Sequence, residues 1–349
     1  MRLLNAGAVL LVGAGAMGVP ATTGIGVPVA TGLPGACSPA VMAVGYSDAL
    51  DKVSVAGNRV GGLSALAYDA GTGRYLALPD HLPTAAVVWP LAGLDDLPVA
   101  QPRVAGPPIR LRTAAGGPVP GNADNEGLAV LRGGLLAISS ETGPAISIFD
   151  RDGSWRSDVT VPPWFRTAPR GRAAPNAGLE GLTANSSGDR LIAAMEKPLI
   201  GDDPGTVRML DYRRTAAGGF VLNRELRYRP APGMRVADIA AYASDRMLVL
   251  EGAYSPRDGS STVLATADVG PPTGHDRVRS LVRRPLADLA GCPAMGATSK
   301  EWQRNRLLDN YEGIAVVARG AGYTIHLLSD DNYSPRQTTR LLTLWARLP

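Results

Sequence analysis

The sequence predicts an all-β protein, a β-propeller of six blades with five as the alternative, and three observations carry that expectation. The first is punctuation: 42 Gly and 29 Pro in 349 residues separate short alternating segments, the pattern of many strands rather than of helices. The second is a repeated phrase. Asp124-Asn125-Glu126-Gly127-Leu128-Ala129, Gly178-Leu179-Glu180-Gly181-Leu182-Thr183 and Asp309-Asn310-Tyr311-Glu312-Gly313-Ile314-Ala315 each set an acid before a Gly and an aliphatic residue. The third is spacing. With looser copies at Gly61-Gly62-Leu63-Ser64 and Val236-Ala237-Asp238-Ile239, the marked positions 62, 126, 180, 238 and 312 lie 64, 54, 58 and 74 residues apart, room for a four-stranded sheet and its loops in each repeat. A two-sheet sandwich also fits the alternation, but it has no reason to reuse one inner-strand opening.

In chain order, residues 1–21 read as an export leader: Met1-Arg2 supplies the charge, residues 3–19 are apolar, and Val19-Pro20-Ala21 fits a small-residue cleavage site. The apolar run is short for a spanning helix and Pro20 breaks it, so a secreted or cell-envelope protein without a membrane span is expected. Residues 22–38 form a Gly/Pro-rich segment, and 39–349 form the propeller. Strands are expected at 40–46 and 53–60, then as a hairpin at 63–69 and 74–79, and at 85–89 and 109–112. The grammar repeats at 127–132, 135–140 and 145–150, then at 181–184, 190–196, 206–212 and 220–228. It returns at 236–242, 246–251 and 261–268, and last at 311 onward, 324–329 and 340–347. Only residues 287–308 offer a short helix.

The 35 Lys plus Arg against 31 Asp plus Glu give a net charge of +4. The basic residues are scattered and aromatics make up only 5%, which argues against nucleic-acid binding; a mildly basic monomer that takes anionic small molecules such as phosphate esters fits better. Two cysteines, Cys37 and Cys292, most simply pair in an exported chain. The rival is lipidation of Cys37, since Leu33-Pro34-Gly35-Ala36-Cys37 loosely resembles a lipobox.

If repeats are blades, equivalent carboxylates meet at the axis. Glu126, Glu180 and Glu312 are therefore the candidate catalytic acids, and with Asp238 and Asp330 the candidate ligands of a calcium ion, which takes six to eight oxygens; Asp80 could join them. The bland alternative is that each Glu caps a blade by accepting backbone N–H bonds. The following Gly lets the backbone approach a ligand closely. In Asp330-Asp331-Asn332 alternation sends Asp331 to the side opposite its neighbours. Glu141, Glu196 and Glu251 recur at strand ends and suggest a second carboxylate ring. No Gly-x-Ser-x-Gly elbow exists; Gly62-Leu63-Ser64-Ala65-Leu66 comes nearest. Of three histidines, His326 reads as packed, His275 as a loop residue and His81 as the best base. No His or Cys pair has zinc-ligand spacing.

At these phrases the chain resembles the esterase-like phytase family, exported bacterial β-propellers related to calcium-dependent β-propeller phytases. The resemblance runs over about residues 55–349 and includes Asn176-Ala177-Gly178-Leu179-Glu180-Gly181-Leu182 and Leu328-Ser329-Asp330-Asp331-Asn332. It implies a propeller fold and phosphoric-ester hydrolysis. The sequence departs from the pattern at Ala65, where Gly is common, and at Leu78-Pro79-Asp80-His81, where an aspartate-rich strand end is expected. A non-catalytic extracellular propeller that holds its ions structurally is the alternative function.

Overall fold

Each apolar run between turn residues becomes one strand, and the strands collect into five blade sheets and one two-stranded ribbon in a computed structural model that describes residues 35–55, 57–96, 100–270 and 277–349. The inner strands are Leu63–Asp69, Asn125–Val130, Leu179–Ala184, Arg235–Ala243 and Tyr311–Arg319. Each packs against the next, and the fifth against the first, so they close a ring around a central channel. Outward from each, the next strands pair antiparallel in sequence order, as in the second blade: Asn125–Val130, Leu136–Ser140, Ala145–Phe149 and Trp155–Val159; the third blade adds Val278–Ser280 parallel at its edge.

There are five blades, the smaller of the two expected numbers. The early strands that favoured six do not make a blade of their own: Val41–Ser47 pairs with the C-terminal strand Leu341–Ala346, Gly35–Ser38 adds outside it, and the strand expected at 53–60 is only a two-stranded ribbon of Ser54–Val55 and Asn58–Arg59. The two ends of the described chain thus share the last blade. The candidate leader (1–21) and most of the 22–38 segment lie outside the described residues, as does His275. The expected helix at 287–308 reduces to one 3-10 turn, Leu289–Gly291. Gly291, Pro293 and Gly296 interrupt any longer run, and the carbonyls of Leu289, Ala290 and Cys292 are taken by the Asn305 amide instead.

The core lies between blades. Ala65, Leu76, Leu78 and Val88 of the first blade meet Leu128, Leu136, Ile138 and Phe149 of the second, and Trp89 and Tyr75 pack toward Leu328 and Leu341 of the fifth. Inner strands are covered on both faces, which is why they read as nearly continuous apolar runs rather than as strict alternation. The Gly of the repeated phrase answers to the same crowding. A Cβ on Gly127 would lie 2.6 Å from the Glu180 carbonyl oxygen, one on Gly181 would lie 2.9 Å from the Ile239 nitrogen, and one on Gly313 would lie 2.9 Å from the Leu66 nitrogen. What approaches these glycines is the backbone of the next inner strand, not a ligand.

Two charged devices hold the ring. Arg340, fully buried, pairs through Nε and Nη2 with Asp48 at 2.7 and 2.8 Å and donates to the carbonyls of Arg306 and Thr298. Arg190 and Arg224 converge on buried Asp211 in the third blade. Cys37 and Cys292 form a disulfide across 255 residues, joining the outermost strand of the last blade to the segment that leaves the fourth. Replacing both cysteines by Ser is expected to cost about 3–5 kcal/mol of stability by releasing that loop. Denaturant unfolding measures it; a loss under about 1 kcal/mol would show that the blade closes unaided.

Asp309 ends the chain's approach to the fifth inner strand. Burial pushes its carboxyl up to about 6, against the Asn310 N–H and Arg340, which favour the charge. Between the ordinary carboxylate value of 3.8 and about 6, the native state keeps a proton that the unfolded chain has lost, so this group makes stability fall as pH rises through that window. Asp309→Asn is expected to raise stability above pH 6 by about 1–3 kcal/mol and to flatten the slope below it. An unchanged pH–stability curve would show that Asp309 is not the titrating group.

Candidate metal and active site

Because the first two strands of a blade run antiparallel, the start of each inner strand and the end of its neighbour lie at one end of the channel. The register there repeats. The N–H of Asp80, Glu141, Glu196 and Asp330 donates to the carbonyl of Gly62, Asp124, Gly178 and Asn310 respectively, at 2.8 to 2.9 Å. Two residues past each of those carbonyls stand Ser64, Glu126, Glu180 and Glu312, where the pairing register of the inner strand shifts. A bulge turns a side chain out of the regular alternation; here it turns three glutamates and a serine to the mouth. Two tiers of oxygen-bearing side chains result, lining a cavity of about 630 Å³ with His81, Asp124, Asn176 and Arg235.

The fourth blade breaks the pattern. Its shift falls between Val236 and Asp238, so Ala237 takes the bulge position and Asp238 stands where the other blades carry Gly or Ala65. The Asp238 carboxylate accepts from the backbone N–H of Ile239 and Ile314 at 2.8 and 3.1 Å, and from that of Leu182. It ties three inner strands together, and burial raises its pKa well above the ordinary value despite those bonds. Glu251 also leaves the tier: it pairs with Val236, is fully buried, and is held by Tyr228 and Arg283. In place of an acid the fourth blade offers Arg235. Its guanidinium reaches Glu312 at 2.6 Å, Glu180 at 2.8 Å and Glu196 at 3.5 Å. Burial works against its charge, but Glu312, Glu180 and Glu196 outweigh it and keep it protonated.

The mouth is therefore divided. Glu180, Glu196 and Glu312 lie on Arg235, and Glu196 also meets Lys197 at 2.7 Å. Across from them, Glu126 is buried and has no hydrogen-bond or ion-pair partner among the described residues. Burial first, then Glu312, Asp80, Asp124 and Glu141, drive its pKa well up. Asp330 is raised by burial and by Glu312 and Asp80, although the Asn332 N–H donates to it at 2.7 Å. Burial also lifts Asp80 against the pull of His81, whose Nδ1 lies 2.6 Å away. Glu141 is pushed up to about 7, mainly by burial, while accepting from Gly178 N–H at 3.0 Å. Asp124, Glu126 and Glu141 offer one oxygen each within 4.8 Å of one another. The buried Ser64 Oγ has no partner either.

Of the residues singled out from sequence, Glu126, Glu180, Glu312 and Asp330 line this cavity and Asp238 does not. Asp331 faces away to Lys52 and Arg59, which with the Gly62 N–H hold its pKa down despite burial. His326 is buried against Thr343 and Asp95. Sequence reasoning passed over Asp124, although it stands inside the repeated phrase, and left Glu141 in a second ring whose members could not be aligned. Arg235 carried no signal, because its effect depends on one blade lacking its acid. Arg235→Met is expected to cost about 3–5 kcal/mol at neutral pH by stranding buried carboxylates, and less near pH 4.5, where Glu180, raised by burial, takes a proton. Equal losses at both pH values would show that packing, not charge, is what Arg235 provides.

Apart from the His81 ring, the donors on the unpaired side are oxygens, a hard-cation set. An isolated buried carboxylate is costly, and Glu126 has nothing else to offset it. Asp124, Glu126 and Glu141 are placed to hold a metal ion. The chain matches the family model described as phytase-like, esterase-like activity of phytase, over residues 58–333. Among curated proteins none matches the sequence. Among solved structures it is similar to virginiamycin B lyase from Staphylococcus aureus (9% identity, 84% of this chain and 68% of that chain, TM-score 0.36). It is similar also to the GH32 β-fructofuranosidase of Bombyx mori (9%, 83% and 60%, 0.45) and to a GH43 β-1,3-galactosidase with galactodeoxynojirimycin (10%, 82% and 91%, 0.49). Likenesses of this size assign no activity.

Proposed function

The chain belongs to the phytase-like family, and from that membership together with the divided channel mouth we propose that it is a calcium-dependent phosphoric ester hydrolase. The observation that carries the reading is Glu126: a buried, partnerless carboxylate beside Asp124 and Glu141. Those three, with Asp80, Asp330 and the Ser64 hydroxyl, would hold the cation. Bound calcium would supply positive charge to phosphoryl oxygens and favour ionisation of a water. The other members of the sequence-derived set serve it indirectly: Glu180 and Glu312 hold Arg235, and Asp238 fixes the strands that carry them.

The protein's own groups then have distinct tasks. The mouth is too acidic to attract a phosphate unaided, so the carboxylates must first be neutralised. Arg235 neutralises one side in advance and keeps its guanidinium at the wall. His81, half exposed and oriented through Nδ1 by Asp80, is placed to donate a proton from Nε2 to the leaving alkoxide. The Tyr333 hydroxyl donates to the His81 carbonyl at 2.8 Å and its ring lies 5.5 Å from the imidazole, so the backbone and ring of His81 are fixed from two sides. An export reading accompanies this one, resting on the leader-like first 21 residues and the disulfide. No helix of the described residues is long and apolar enough to cross a membrane.

The test is hydrolysis of phosphate monoesters and phytate by the purified protein with calcium and with a chelator, alongside thermal unfolding. Calcium is expected to raise both activity and Tm, and Glu126→Gln to weaken calcium binding about tenfold or more, the scale of one lost charged ligand. Hydrolysis indifferent to chelation would contradict the metal role. A calcium-raised Tm without hydrolysis of any phosphate ester would favour the non-catalytic propeller.

A further inference from the structure

A second cavity of about 870 Å³ opens from the first, sharing Asp124, Glu141 and Asn176 with it. It runs outward along the second blade beneath the segment between Trp155–Val159 and Leu179–Ala184. Its charged groups are Asp124 and Glu141 at the shared end, Asp158 on the wall, and Arg166 and Arg170. Asp158 is satisfied by Ser147 Oγ and Trp155 Nε1 at 2.7 and 3.0 Å. Arg166 and Arg170 are exposed, and among the described residues neither guanidinium has a partner.

The segment that presents them is firmly built. Phe165 is fully buried in the core, Ala173 N–H donates to the Arg166 carbonyl at 3.0 Å, Ala168 N–H to that of Ala173 at 2.9 Å, and Arg170 N–H to that of Thr167 at 3.1 Å. A Cβ on Gly171 would fall 2.2 Å from the Arg166 carbonyl oxygen, so the turn closes only with glycine there. Arg172, in the same segment, is consumed by Asp202 and the Ile200 carbonyl. Two arginines are thus held free over a groove whose other end is the candidate metal site, while a third a few residues away is used structurally.

The geometry points to a substrate with two anionic ends: a phosphate ester whose alcohol portion extends along this groove and carries a second anion, phosphate or carboxylate, that Arg166 and Arg170 bind. Guanidinium matches both oxyanions through paired N–H donors. The wall between, formed by Pro144, Ile146 and Val161, suits the apolar body joining the two ends. This assignment rests on the hydrolase reading for the identity of the first anion, and makes Arg166 and Arg170 specificity residues rather than catalytic ones.

Binding without turnover separates the two claims. Isothermal titration of the calcium-saturated protein with benzylphosphonate and with 4-carboxybenzylphosphonate is expected to show the dianion-bearing probe binding about tenfold more tightly, the scale of one charge-assisted pair. Arg166→Ala/Arg170→Ala should abolish that advantage while leaving benzylphosphonate affinity, and any hydrolysis of phenyl phosphate, unchanged. Equal affinities in the wild type, or an advantage that survives the double substitution, would overturn the groove. An advantage that behaves as expected, with no phosphate ester hydrolysed, would keep the groove and overturn the hydrolase. If neither phosphonate binds, both fall.

Discussion

Nine carboxylates share the channel mouth with one partly buried arginine, and that imbalance governs the site. Asp80, Asp124, Glu126, Glu141, Glu180, Glu196, Glu301, Glu312 and Asp330 line one cavity, and Arg235 answers three of them. Burial first, and repulsion from neighbouring acids second, raise the pKa values of Glu126, Glu180 and Asp330 and favour their protonation. A hard cation on the unanswered side would remove the imbalance. Oxygens held by four separate strand pairs are preorganised for it, because backbone hydrogen bonds, not an ion, set their positions.

Five-fold repetition builds this geometry, and its one defect gives it direction. A fully regular ring would place an acid from every blade at the mouth with no distinction among them. The fourth blade, shifted by one residue at Val236 to Asp238, withdraws its carboxylate to staple inner strands and puts a guanidinium in the space. One half of the mouth becomes an internal ion-pair network and the other stays open for a ligand. The groove that continues past Asp124 and Glu141 leaves from the open half, so charge and access agree.

Much of the fold was legible because its cause is local. The phrase at Glu126, Glu180 and Glu312 recurs since in these three blades the backbone of the next inner strand comes within 3 Å of where a Cβ would stand, which demands Gly after the acid. Blade number was less legible: residues 40–46 read as a strand, but nothing local says that Val41–Ser47 will pair with residues 341–346 at the other end of the chain. At the site, the three repeated glutamates and Asp330 could be read from their phrases. Asp238 could not be placed, because a missing Gly looks the same whether the acid shifts by one residue or not, and only the pairing with Leu250 decides it. The roles of Arg235, Arg166 and Arg170 were hidden for a related reason: a scattered arginine acquires meaning only from what surrounds it in space.

Diffraction from crystals grown with and without calcium, with anomalous scattering used to locate the ion, decides most directly whether the imbalance exists to bind a cation. The expected result is one or more ions on the side of Asp124, Glu126 and Glu141, with the Arg235 contacts to Glu180 and Glu312 unchanged. An empty mouth at saturating calcium, with Glu126 instead bonded to a neighbouring acid through a shared proton, would contradict it.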